Sequence, residues 1–173
     1  MSAEDLKAKI RDVPDFPEPG IVFKDIMPLL ADPATLHQTV ELLGEWIEPR
    51  KPDLILGAEA RGFILGAALA YKLGHGFVAA RRPGKLPWKT VSATYALEYG
   101  ENALELHADA ISHGQRVLVH DDVLATGGTA KAICDLAGQL GGEIVGVAFV
   151  IELAFLEGRQ HLEQYDVLSL ITY

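Results

Sequence analysis

Twice along this chain an apolar run leads into a short turn, a helix opens from the turn, glycine ends the helix, and a second apolar run follows. The first pass is "LILGAEARGFILGAALAYKLGHGFVAARR", Leu54 to Arg82; the second is "RVLVHDDVLATGGTAKAICDLAGQLGGEIVGVAFVI", Arg116 to Ile151. Strand, turn, helix and strand in that order build a parallel sheet with crossover helices. The near-continuous apolar strands agree, because parallel strands are buried on both faces. The chain therefore reads as an α/β fold, a single domain over residues 1–173 whose mostly parallel twisted sheet is flanked by helices.

The remaining segments fit around that frame. "VSATYALEYG" and "ALELH" predict a hairpin about Gly100, inserted between the two units. Leu36, Val40, Leu43 and Ile47 recur at helical spacing until Pro49. Ser2 to Arg11 reads as a short helix with Leu6 and Ile10 on one face, and "DFPEPGIVFKDI" reads as a loop until Ile21 because prolines and glycine break it.

Composition narrows the function. The longest uncharged apolar run, Gly62 to Tyr71, is too short to span a bilayer, and the acidic N-terminus fits no targeting peptide, so a membrane role is not expected. Cys134 is the one cysteine; it falls in a helix pattern, reads as core packing, and suits a reducing cytoplasm. A net charge of −9 disfavours nucleic acid as a partner. Yet the 38 residues between Glu59 and Glu98 hold no acid, where about five would be expected, while Arg61, Lys72, Arg81, Arg82, Lys85 and Lys89 all lie there. A cationic third in an acidic protein points to a small, multiply charged anion.

Both turns lie where ligands collect in open parallel sheets, at the carboxyl ends of strands. The second is the more informative: "VLVHDDVLATGGT" carries two adjacent acids before a glycine pair flanked by threonines. Amides at a helix N-terminus hold phosphate, whereas carboxylates repel it. A ligand with a phosphate and vicinal hydroxyls reconciles the two, and a ribose 5-phosphate has both. Neither GxxxxGK followed by Ser or Thr nor GxGxxG is present, so a Walker nucleotidase and a dinucleotide-binding fold both lose support.

The thirteen residues Val117–Thr129 resemble the signature of the type I phosphoribosyltransferases. The resemblance implies that Asp121 and Asp122 bind ribose, while Ala125, Thr126, Gly127, Gly128 and Thr129 cradle the 5-phosphate. His120 stands where the signature is usually apolar; it reads as a neutral core histidine with a backbone partner, or as a ligand-facing group. "FPEPGIVFKDI", "RGF", "RRPGKLP" and "YALEYG", in that order, are similar to the adenine-specific branch of the family. This implies transfer of a phosphoribosyl group from phosphoribosyl pyrophosphate to adenine, giving AMP and pyrophosphate with Mg²⁺, in a cytoplasmic homodimer. The metal is expected to be held mainly by substrate and water, without a protein cage.

By the same resemblance, Val22, Phe23 and Lys24 form an N-terminal base-binding segment, with Phe23 against the ring and backbone groups reading the purine edge. Arg61, Arg81, Arg82 and Lys85 are expected to meet pyrophosphate, and Lys72 and Lys89 to be solvated. Glu98 is the expected catalytic acid–base group, with Tyr99 beside it, on a small hairpin lid whose flanking loop carries Pro83, Gly84 and Pro87. Two other functions remain open at this point: a 6-oxopurine phosphoribosyltransferase, and a non-catalytic sensor of phosphoribosyl pyrophosphate.

Overall fold

A computed structural model describes residues 3–96 and 101–173. Helix α1 (Ala3–Lys7) precedes an antiparallel pair, β1 (Arg11–Pro14) and β2 (Val22–Asp25). Helices α2 (Met27–Ala31) and α3 (Pro33–Ile47) follow, then β3 (Leu54–Ala58), α4 (Arg61–Leu73) and β4 (Gly76–Ala80). The hairpin strands β5 (Thr90–Ala96) and β6 (Glu101–His107) pair antiparallel. Strand β7 (Arg116–Leu124), helix α5 (Gly128–Gln139), β8 (Glu143–Glu152) and β9 (Val167–Thr172) complete the chain.

Five strands form one parallel sheet in the order β4-β3-β7-β8-β9. Alternate residues of each strand serve opposite cores. Leu54, Leu56, Val117, Val119, Val147 and Phe149 pack with α5 and the hairpin on one face. Ile55, Leu118, Ala148 and Val150 pack with α3 and α4 on the other. Burial on both sides is why these strands read as unbroken apolar runs. The chain runs from β3 outward to β4, then returns to place β7 on the other side of β3. That reversal between β3 and β7 is the topological switch point, where a crevice opens at the strands' carboxyl ends.

Three local expectations change. The first helix stops at Lys7, and Arg11–Pro14, expected to be helix and loop, is a strand registered against Val22–Asp25. Leu6 alone anchors so short a helix fully in the core. Strand β7 does not end at its acids but runs through them to Leu124, because β8 offers partners as far as Glu152. Strand β9, which the sequence pattern left unread, closes the sheet edge. The hairpin forms as expected, and its turn, with Glu98 and Tyr99, lies outside the described residues.

Candidate active site

The turn after β3 and the turn after β7 meet across the switch point. Gly62, in the first turn of α4, permits this: a Cβ there would lie 2.9 Å from Asp121 Oδ1 and 3.2 Å from the His120 carbonyl oxygen. Only a residue without a side chain lets the helix approach β7 so closely. The peptide between Glu59 and Ala60 is cis, and Arg61 begins the helix.

A cavity of about 450 Å³ opens here. It is lined by Val22, Phe23 and Lys24 from β2, Arg61 from α4, and Arg82 from beyond β4. Asp121, Asp122, Ala125 and Thr129 complete its floor, and Tyr95 comes from the hairpin. Ala125, Thr126, Gly127 and Thr129 also line a smaller recess of about 60 Å³ adjoining it through Asp121. Gly128 starts α5 between them. Nine residues assigned from sequence to base, sugar, phosphate and pyrophosphate thus face one space.

The loop over residues 125–129 presents backbone donors. The first amides of a helix have no intrahelical acceptor, and Gly127 turns the chain into α5 with φ of 86°. Gly158, in a 3₁₀ turn over Gly158–Leu162, packs directly behind this loop. The salt bridge of Arg159 to Glu152, with Nε donating to Oε1 at 3.0 Å, ties that turn to the end of β8. Thr129 Oγ1 donates to the Tyr95 hydroxyl at 3.1 Å, which joins hairpin to loop.

Electrostatics separate the two acids. Asp122 is 3% exposed and is paired with the guanidinium of Arg61 through Nε. Asp121 borders the cavity, and its Oδ1 accepts the Asp122 backbone N–H at 2.8 Å. Loss of solvent, followed by the nearby negative charge of Asp122, raises its pKa well above the usual carboxylate value. A desolvated acid beside another acid is short of donors, and sugar hydroxyls or a hard cation would supply them. Arg61 also stands 5.0 Å from the Phe23 ring centroid, so one guanidinium bridges Phe23 of β2 and Asp122 of β7.

Several other assigned side chains are engaged away from the cavity. Lys24 lines the cavity, but its amine is directed to Asp12 Oδ1 at 2.6 Å and over the Tyr173 ring. Arg81 is paired with Glu59 and donates to the Lys85 carbonyl, and neither Arg81 nor Lys85 lines the cavity. His120 is fully buried, its Nδ1 2.9 Å from the Ala148 carbonyl oxygen, and burial pushes its pKa down to about 4. It is a neutral core histidine. Cys134 is likewise buried, which pushes its thiol up to about 12. Lys72 is held by Glu41 at 2.7 Å.

Sequence reasoning missed Glu59, Tyr95, Asn102 and Leu153, all of which line the cavity. Glu59 was readable as the acid closing one end of the cationic stretch. Tyr95 stood inside the quoted "YALEYG" without being singled out, whereas Asn102 and Leu153 gave no local signal. Among the described residues, no three His, Cys, Asp or Glu side chains form a metal cluster, and no helix is long and apolar enough to cross a membrane.

Comparison with known proteins gives a consistent answer. Residues 29–170 match the model of the phosphoribosyl transferase domain. An adenine phosphoribosyltransferase of Thermotoga maritima is 57% identical over 169 residues, covering 98% of both chains. The crystal structure of adenine phosphoribosyltransferase from Thermoanaerobacter pseudethanolicus superposes with a TM-score of 0.97 at 51% identity, covering 99% of this chain and 100% of that one. The Saccharomyces cerevisiae enzyme, crystallised with adenine and an imino-altritol bisphosphate, gives 0.93 at 39% identity over 97% of each chain. With identity this high over nearly its whole length, and with the phosphoribosyl transferase domain model matched over residues 29–170, the chain belongs to the adenine phosphoribosyltransferases.

Proposed function

We propose that this chain transfers the 5-phosphoribosyl group of phosphoribosyl pyrophosphate to adenine, releasing AMP and pyrophosphate, in purine salvage. The observation that carries the reading is the single cavity in which a base-binding segment, paired acids, a phosphate loop and two arginines converge. Each part fits one portion of the substrates. The amides of Ala125–Thr129 receive the 5-phosphate, and Asp121 and Asp122 accept hydrogen bonds from the ribose hydroxyls. Arg61 and Arg82 face the pyrophosphate, with Arg81 and Lys85 on the loop that carries Arg82.

Adenine packs against Phe23, and backbone groups of Val22 and Lys24 read its edge. A carbonyl that accepts from the 6-amino group leaves a 6-oxo base with two acceptors opposed, which disfavours hypoxanthine and guanine. As the bond from ribose C1 to adenine N9 forms, the C1–O bond to pyrophosphate breaks and pyrophosphate leaves with the electron pair. The purine's proton passes to Glu98, beside Tyr99. The hairpin and the segment carrying Pro83, Gly84 and Pro87 act as a lid that excludes water.

The donor chemistry fits Mg²⁺. Asp121 and Asp122 offer hard oxygens at the cavity floor, the class this ion prefers, and most of its ligands would come from substrate and water. When bound, the ion neutralises charge on the departing pyrophosphate. The family resemblance further supports a homodimer, and the lone buried cysteine suits the cytoplasm.

Incubation of the purified protein with Mg²⁺, phosphoribosyl pyrophosphate and each purine tests the reading. AMP formed from adenine alone is expected. IMP or GMP would assign a 6-oxopurine enzyme, and binding without product would assign a sensor.

A further inference from the structure

Glu59 poses a problem for a pyrophosphate site, because it is a carboxylate lining the same cavity. Its surroundings resolve the conflict. Oε1 accepts from Arg81 Nη2 at 2.8 Å, and Oε2 accepts the backbone N–H of Arg82 at 2.8 Å. The side chain is only 14% exposed, and the Arg82 amide, then Arg81, hold its carboxyl below the usual range, against the cost of burial. Both oxygens are therefore engaged and the negative charge is neutralised within the wall.

The contacts extend beyond one ion pair. Arg81 Nη1 donates to the Lys85 carbonyl at 3.2 Å, so the guanidinium closes residues 81–85 into a ring. The Glu59 backbone N–H donates to Ala80 at 3.0 Å, fastening the end of β3 to the end of β4. Arg81 exchanges backbone hydrogen bonds with Glu105 of β6 at 3.0 and 2.7 Å. Glu59 thus sits where the switch-point turn, the cationic loop and the hairpin join.

We propose that Glu59 is a positioning residue for pyrophosphate recognition: through Arg81 and the Arg82 amide it fixes the 81–85 turn, so that Arg82 faces the cavity beside Arg61. The inference rests on the reading that this cavity takes phosphoribosyl pyrophosphate. Glutamine at this position keeps the size but turns an amide donor toward one of two donors, so one contact must fail.

The test compares wild type and Glu59→Gln by steady-state kinetics and by the thermal shift induced by AMP and by Mg²⁺-pyrophosphate. Glu59→Gln is expected to raise KM for phosphoribosyl pyrophosphate about tenfold or more and to lose the pyrophosphate shift. KM for adenine and the AMP shift should stay within about twofold of wild type, since AMP does not reach the cationic loop. Arg81→Gln breaks the same pair from the other side and should show the same split, with no further loss in the double variant. It also serves as the probe if Glu59→Gln does not fold. Unchanged pyrophosphate affinity overturns the proposal, as does an equal weakening of AMP, adenine and pyrophosphate. A wild-type protein that binds AMP but neither pyrophosphate nor phosphoribosyl pyrophosphate overturns the site reading itself, and the role of Glu59 with it.

Discussion

Gly158→Ala tests whether the phosphate loop is held from behind. Gly158 has no positive φ, so alanine suits its backbone and only space is at issue. A Cβ there would overlap the Ala125 carbonyl oxygen and lie 2.9 Å from both the Gly127 nitrogen and the Thr126 carbonyl carbon. All three are main-chain atoms, which cannot swing aside as a side chain would. Restoring ordinary contact requires the loop to retreat by roughly 1 Å. The turn itself cannot yield easily, because the Arg159–Glu152 bridge anchors it and Arg159 Nη1 also donates to the Val167 carbonyl at 3.0 Å. Overpacking of this kind costs about 1–3 kcal/mol of folding stability. Displacement of binding groups by about 1 Å can cost on the order of 100-fold in the reaction. KM for phosphoribosyl pyrophosphate and the Kd for AMP, measured by initial rates and calorimetry, should both rise by at least tenfold, while KM for adenine changes less than twofold. A folded Gly158→Ala protein with both phosphate ligands bound as in wild type would refute the argument.

Other perturbations separate the remaining roles. Asp122→Asn removes a charged acceptor worth about 1.5–3 kcal/mol to a hydrogen-bonded hydroxyl, so affinity for phosphoribosyl pyrophosphate should fall roughly 10- to 150-fold; a titration showing no change contradicts the ribose assignment. Glu98→Gln should lower kcat by about 100-fold or more with little change in either KM, and a kcat within threefold of wild type would exclude it as the proton acceptor. His120 is neutral in the folded protein, with its pKa near 4 against 6.5 in the open chain. Its contribution is complete above pH 6.5 and is lost as pH falls toward 4, because the unfolded chain takes up the proton first. Between pH 7 and pH 5 this amounts to about 2 kcal/mol, so urea unfolding of wild type should weaken by that much relative to His120→Gln. Parallel pH profiles for the two proteins would disprove the buried-neutral state.

The sheet was legible because its rules are local and repeated. Apolar runs bounded by glycine turns mark β3, β4, β7 and β8, and each helix between them ends at a glycine or a glycine pair. Strand β1 was hidden because Arg11–Pro14 is mostly exposed and forms only through its partner at Val22–Asp25. No period within four residues reveals such a pairing. The site was half legible for a similar reason. Asp121, Asp122 and the phosphate loop are contiguous in sequence, whereas Glu59 and Arg81 are twenty-two positions apart and their pairing depends on the parallel register that sets Ala58 beside Ala80. Composition marked the cationic stretch but could not say which of its cations are paired. Arg81 and Lys72 each lie against a glutamate in the fold.

The placement of charge also bears on how such a site changes when it fills. The Arg61 guanidinium is shared between Asp122 and the Phe23 ring, and Asp121 is poorly solvated next to Asp122. If Asp121 and Asp122 bind ribose as proposed, its hydroxyls would donate to both carboxylates without removing negative charge. Pyrophosphate, bringing several negative charges, then competes with Asp122 for Arg61. On the proposed assignment one arginine would couple three subsites, and occupancy of the sugar and pyrophosphate positions would draw it from the Phe23 ring. On that logic phosphoribosyl pyrophosphate prepares the adenine site: Arg61→Ala should abolish the dependence of adenine affinity on phosphoribosyl pyrophosphate. Calorimetric adenine titrations with and without a non-reactive phosphoribosyl pyrophosphate analogue measure this directly. If wild type shows no coupling of adenine to the analogue, or if Arg61→Ala retains it, the shared-arginine argument fails.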